Sequence, residues 1–251
     1  MMNKYIIKYE TKLLLKNYAT IFFGLVFPLL MASLIIVGVG SKLPIQYVSE
    51  AKRSITLTIN IISPLSIFLI GHASITAKDM EEGVYDRLEL FSIKQFVMAK
   101  YKFLIYYIFF LICTIIYFLI IMNAFNVEFT MIELLRHTIY VSLIDMSSFF
   151  LAYAICLYTK KYSLSFGLTM VLYFLTMILS GMMGISVDDM PESVRYIARA
   201  IPTSHFSSAE YLDEISKGIV NYTFIQGLIL LILISLIMMV LAIRKNKRRD
   251  N

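Results

Sequence analysis

The sequence predicts an all-α membrane protein with six transmembrane helices, and three observations predict it. Hydrophobic side chains make up 59% of the 251 residues and charged ones only 16%, against roughly 45–50% and about 25% in a soluble domain. Six apolar stretches each reach the ~18 residues needed to cross ~30 Å of hydrocarbon. The charges cluster between those stretches. A water-soluble enzyme is excluded, because a soluble chain of this length must cover itself with polar faces. The whole chain, 1–251, reads as one transmembrane domain.

The spans are expected at 18–40, 55–76, 103–125, 134–158, 163–183 and 222–243. The charged opening segment through Lys16 holds no short apolar core with a small-residue cleavage site, so no removed signal peptide is expected. An even number of spans places both termini on one side. Of the 23 basic residues, 16 fall in the segments on that side, and the positive-inside rule makes it the cytoplasm. The net charge of +6 therefore reads as topology and attraction to anionic membrane lipid, with no nucleic-acid role. Cys113 and Cys156 lie inside apolar stretches and read as packing residues.

Ahead of the first span, Lys4, Lys8, Lys12 and Lys16 recur every four residues, forming a helical stripe about 120° wide. Met2, Ile6, Tyr9 and Leu13 fall on another face. Such a helix lies in the headgroup plane, an N-terminal interfacial elbow. Between spans two and three, residues 77–102 hold ten of the chain's 40 charges. Asp79 is expected to cap a short helix with Glu81 and Glu82 in its first turn and Val84, Leu88 and Phe91 along one side. Ser92 with Gln95 forms a capping box expected to restart a helix into span three. A helical pair that is charged outside and apolar underneath suits docking on a soluble partner.

Residues 184–218 join spans five and six. Asp188 or Asp189 is expected to cap a helix beginning at Pro191 and ended by Pro202. Thr203 or Ser204 then starts a second helix, and Gly218 stops it. Each is too short to cross a bilayer, so the pair dips into or lies on the outer surface. Span six is nearly featureless Leu, Ile and Met and reads as lipid-facing.

Three spans carry polar stripes. In span two, Thr56, Asn60, Ser63, Gly71 and Ser74 fall within about 80° of arc. In span five the stripe is Ser165, Thr169, Tyr173, Thr176 and Ser180, and in span four it includes Thr138, Ser142, Asp145 and Ser148. Small and hydroxyl side chains at this spacing serve as helix-packing glue. Asp145, the one carboxylate inside a span, costs about 2.5–3.5 kcal/mol to insert. It is expected to act as a polar hub bonded to Ser142 or Ser148, a structural or gating group instead of a proton carrier.

The run Glu82-Gly83 followed by Arg87-Leu88, and the proline-bounded run from Met190-Pro191 to Ala200-Ile201-Pro202, resemble the permease subunits of type-2 ATP-binding-cassette exporters. The sequence departs from that pattern at Ser92, where the family often has proline. The resemblance covers essentially the whole chain. It implies that the charged segment is a coupling helix contacting an ATPase subunit through Glu81, Glu82, Gly83, Arg87 and Leu88. It also implies that spans two and five line a translocation route between two permease copies, a homodimer or a pair with a related paralogue. The pathway residues would be Thr56, Asn60, Ser63, Ser165, Thr169, Tyr173, Thr176 and Ser180. The chain has no phosphate-binding Gly-x-x-x-x-Gly-Lys-Ser/Thr loop. No catalytic residue, metal or cofactor is therefore expected on it, and ATP and Mg belong to the partner ATPase.

Phe68 and His72 with Glu81-Glu82 also resemble fragments of CAAX-type intramembrane proteases. Here, however, the glutamates follow the histidine and lie in a charged loop, and His137 and His205 sit at the far side, so no metal cluster is expected. A secondary transporter would need intramembrane charges or broken helices in two matching halves, which are not seen. Mildly polar stripes in Phe- and Met-rich spans point to an amphiphilic cargo, an amphipathic peptide or antimicrobial, with a lipid or glycolipid as the alternative. Richness in Ile, Lys, Tyr, Phe and Asn with no Trp suits an AT-rich genome such as a Gram-positive bacterium's, and hence a bacterial plasma membrane. Within the family, exporters of peptide toxins such as the phenol-soluble modulins, and bacteriocin self-protection exporters, fit that reading.

Overall fold

Hydrocarbon offers no water to backbone amides, so a chain that crosses it must bond its own N–H and C=O groups, and helices do so. In the computed structural model the protein follows this rule over the described residues, 4–40, 43–183 and 187–247. Met2, Lys42, the start of the outer segment at 184–186, and Arg248 and Arg249 lie outside the described residues. The helices are α1 (Lys4–Lys16), α2 (Tyr18–Val39), α3 (Ile45–Glu81), α4 (Val84–Leu90), α5 (Gln95–Phe125), α6 (Met131–Thr159), α7 (Tyr162–Leu179), α8 (Glu192–Ala200), α9 (Ala209–Lys217) and α10 (Tyr222–Lys247). Six of them, α2, α3, α5, α6, α7 and α10, are long and apolar enough to span a membrane.

Helices α3, α5, α6 and α10 extend beyond the apolar stretches that mark them in sequence, α2 matches its stretch, and α7 stops at Leu179, short of the expected end at 183. Helix α3 has 37 residues, roughly 55 Å at 1.5 Å per residue, and extends well before the expected start at 55. Helix α5 begins before 103 for the same reason: hydropathy marks the part that lies in lipid, while the helix ends where backbone capping ends it. Helix α3 is the centre of the protein, with 89% of its apolar window buried, against 17% for α10, which packs along α6.

Helices α2 and α3 each contain a π-helical segment, Phe22–Val26 and Ser66–His72, and the two segments pack on each other. Their contact is very close. A Cβ on Gly24 would come within 2.7 Å of Ile67, and one on Gly71 would run into Thr20. The Ser63 hydroxyl donates to the Gly24 carbonyl across the crossing, the kind of side-chain bond that serves a backbone group freed by irregular helix.

Several local expectations are corrected. The four lysines of α1 are exposed, but its buried stripe is Ile6, Glu10 and Leu14, and Tyr9 is exposed. Asp79 caps nothing, because α3 runs on to Glu81 and Gly83, at φ +66°, makes the turn into α4. The capping box of Ser92 with Gln95 does not form. Ser92 takes φ +59°, its N–H donates to Glu89 O at 2.8 Å, and Ile93 N–H donates to Leu88 O at 3.0 Å. That double bond pattern closes α4, so Ser92 is committed to a stop and Lys94 precedes α5. Phe91 is exposed, so the underside of α4 is Tyr85 and Leu88.

In the last connection, Pro191, not Asp188 or Asp189, flanks the start of α8, and Asp188 pairs with Arg199 at 2.9 Å. Pro202 opens a single turn, Pro202–His205, so α9 starts later than Thr203 or Ser204, after Ser208. Gly218, at φ +72°, ends α9 as expected.

Candidate functional site

The segment that includes α4 is anchored by a buried ion triad. Lys102, near the start of α5, donates to Glu10 Oε2 of α1 at 2.9 Å and to Asp79 Oδ2 of α3 at 2.7 Å, and its side chain has no exposed surface. One cation thus joins three helices. Burial pushes the Glu10 carboxyl above the ordinary carboxylate range, with Lys102 opposing and Asp79 adding to the rise. Beside the triad, Ile6, Tyr85 and Met98 form an apolar cluster against which Leu88 packs. Helix α4 therefore sits on α1 and α5 as well as on the end of α3. The bend between α1 and α2 is fixed to the same body. Asn17 accepts from Thr20 N–H at 3.3 Å and donates to Ser74 Oγ of α3 at 3.0 Å.

Of the residues proposed to couple, Glu82 and Arg87 face water. Arg87 Nη2 donates to the Glu82 carbonyl at 3.2 Å, and Glu82 pairs with Lys78 at 3.8 Å. The Arg87 bond closes the turn at Gly83, which accounts for the spacing of the Glu-Gly and Arg-Leu pairs. Leu88 lies on the underside, not on the outer face. Glu81 is exposed too, and its Oε2 accepts from Tyr162 N–H at 2.7 Å, at the first residue of α7. The α3–α4 junction is thereby tied to α7 too.

The polar stripes of α3 and α7 turn into the protein. Thr56, Asn60, Ser63, Ser165, Thr169, Tyr173 and Ser180 are buried, and Thr176 is half-buried. Thr56 Oγ1 donates to Lys52 O at 2.7 Å, and Asn60 Oδ1 meets His137 Nε2 at 3.1 Å. Ser165 meets Thr159 Oγ1 at 2.5 Å, Thr169 donates to Ser165 O at 3.0 Å, and Ser180 bonds Thr203. The Tyr173 hydroxyl is buried with no partner among the described residues. Asn60, Ser63, Ser165 and Ser180 thus bond across elements of the same chain, whereas Thr56 and Thr169 bond carbonyls of their own helices.

At the opposite end of the spans a second polar cluster joins α3, α6 and α9. Glu133 accepts from Arg53 at 2.5 Å, from Ser216 Oγ at 2.6 Å and from Thr130 N–H at 2.7 Å. Arg136 donates to Ile215 O at 2.6 Å, and His137 Nδ1 meets Tyr211 OH at 2.8 Å. The sequence reading missed both clusters. A usable signal was present: isolated charges at span edges, Lys102, Asp79, Arg53 and Glu133, must find partners when the edges are packed.

Asp145 is fully buried, yet among the described residues neither carboxylate oxygen has a partner. The expected bonds to Ser142 or Ser148 do not form, because Ser142 Oγ donates to Thr138 O at 2.6 Å and meets Tyr107 OH at 3.0 Å. His72 meets Thr76 Oγ1 at 3.1 Å and packs 4.4 Å from the Phe149 ring. It lies nine residues from Glu81 on α3, roughly 13 Å along the axis. Among the described residues no group of His, Cys, Asp or Glu gathers that could hold a metal. Cys113 and Cys156 are buried and free.

A family model described as ABC-2 family transporter protein matches residues 15–244. Among curated proteins, none matches the chain.

Proposed function

The chain belongs to the ABC-2 family of transporter proteins, and from that premise we propose that it forms the membrane half of an ATP-driven exporter whose α4 receives the thrust of a separate ATP-binding-cassette ATPase. The observation that carries this reading is the mounting of α4. Its outer face and the turn before it offer Glu82, Asp86, Arg87 and Glu89 to a soluble partner, while Tyr85 and the neighbouring triad hold its inner side to α1, α3 and α5. A push on α4 is then delivered to three helices together, because a close-packed interior transmits displacement with little absorption.

In this reading ATP and Mg bind the partner and none is held by this chain. Two permease copies, identical or paralogous, face each other across the route, and both termini lie in the cytoplasm of a bacterial plasma membrane. Glu81 links the α3–α4 junction to the start of α7, so the stroke also bears on the contact between α7 and α3. Parting these helices would uncover Thr56, Asn60, Ser63, Ser165, Thr169, Tyr173, Thr176 and Ser180 as the pathway lining. Sparse hydroxyls in otherwise apolar walls suit an amphipathic peptide or antimicrobial.

The experiment is recovery of an ATPase with the detergent-solubilised protein from its native membrane. Recovery with the intact chain and its loss in Glu82→Ala/Arg87→Ala is expected. Absence of any ATPase with the intact chain would overturn the reading.

A further inference from the structure

We propose that a cavity between α5, α6 and α10, on the side of the membrane that carries the termini, binds an acidic phospholipid of the surrounding leaflet. The cavity holds about 860 Å³, within the ~300–1,000 Å³ range of small-molecule pockets. Its inner walls are apolar, made by Phe103, Met146, Phe150 and Met239, while Lys94 and Lys100 line it from the polar end of α5.

The two ends differ in chemistry in the way an anionic amphiphile does. The apolar stretch of α5 begins at Phe103, so Lys100 stands within one turn of the hydrocarbon edge, at the level of lipid headgroups, and Lys94 stands about two and a half turns from it, on the water side. Among the described residues neither lysine is in an ion pair. Lys100 Nζ is instead held 4.6 Å from the centre of the Phe96 ring. Among the described residues Glu89 is the one acid in the lining, which leaves a net positive rim. A zwitterionic headgroup would bring its own cation to that rim, so an acidic one is favoured. Phe149, also in the lining, packs on His72 of α3 and on Phe103 at 5.1 Å, so the occupant touches the central helix. The proposal requires only that the protein lie in a membrane, and it stands or falls separately from the export reading.

Phe150→Trp would give the chain its single tryptophan, placed in the cavity wall. Reconstituted in phosphatidylcholine vesicles, its fluorescence is expected to be quenched at low mole fraction by brominated phosphatidylglycerol and far less by brominated phosphatidylcholine. Lys94→Gln and Lys100→Gln should each lower that preference about fivefold, and Glu89→Gln should raise it. Lys12→Gln/Lys16→Gln, on the exposed face of α1, should leave it unchanged. Equal quenching by the two lipids, or a preference that responds to the α1 lysines and not to Lys94 and Lys100, overturns the proposal. Quenching by neither lipid, as when a second copy of the chain fills the cavity, also overturns it.

Discussion

Lys102 and Asp79 meet at 2.7 Å, 23 residues apart in sequence, and Glu10 joins the same ammonium from 92 residues away. Removing the lysine would strand two carboxylates in the interior. Lys102→Met is therefore expected to destabilise the protein by about 3–5 kcal/mol, read as a large fall in the melting temperature in detergent. Replacing all three, Lys102→Met with Glu10→Leu and Asp79→Leu, is expected to recover most of that loss, because an apolar set of similar volume needs no compensation. A single variant that melts like the wild type would show that the triad does not anchor α1.

The triad has two carboxylates for one cation, and this sets a pH dependence. Burial raises the Glu10 carboxyl above its ordinary value of 4.5, so the folded state holds the Glu10 proton more tightly than the unfolded state does. The associated stability is fully present below pH 4.5 and is lost as pH rises through the raised folded value. Glu10→Gln mimics the protonated group. Its melting temperature should change less than the wild type's over that rise, and the two curves should converge at the acid end. Parallel curves across the range would contradict this assignment.

The α2–α3 crossing has room for hydrogen and no more. A Cβ at Gly71 meets the side chain of Thr20, whose hydroxyl has no partner among the described residues. Gly71→Ala is expected to destabilise by about 1–3 kcal/mol through overpacking. Thr20→Ala removes the atoms in the way, so the double variant should melt closer to the wild type than Gly71→Ala alone. Purely additive losses would place the strain somewhere other than at this contact.

The spans were legible because lipid imposes a rule on composition that a single sequence displays. What was not legible is which side of each helix faces protein. The lysine stripe of α1 is visible in sequence, yet its buried stripe runs through Glu10 and not Tyr9, because Lys102, far along the chain, supplies a charge that Tyr9 cannot answer. Ser92 and Gln95 have the spacing of a capping box, but that spacing alone does not say whether Ser92 will end one helix or start the next. The backbone at φ +59° decides for the ending. The polar stripes were visible as stripes, and their inward direction follows from α3 being the central helix, which no periodicity in α3 itself encodes.

Asp145 gives the sharpest test of that distinction. Its spacing from Ser142 and Ser148 suits a bonded hub, but Ser142 is engaged by Thr138 and Tyr107, and both Asp145 oxygens are buried without a partner. An unpaired buried polar group costs about 1–3 kcal/mol. Asp145→Leu, which removes the polar group, is accordingly expected to stabilise the protein by about that amount, whereas Asp145→Asn keeps an unpaired amide and should shift the melting temperature little. Transport assayed on the same variants separates structure from function. If Asp145→Leu melts higher and still transports, the carboxylate is dispensable. If it melts higher and transport is lost, the carboxylate is kept for function at the expense of stability, in a state other than the one in which it is sealed. A lower melting temperature for both variants would mean that the carboxylate supports the fold, contrary to this prediction.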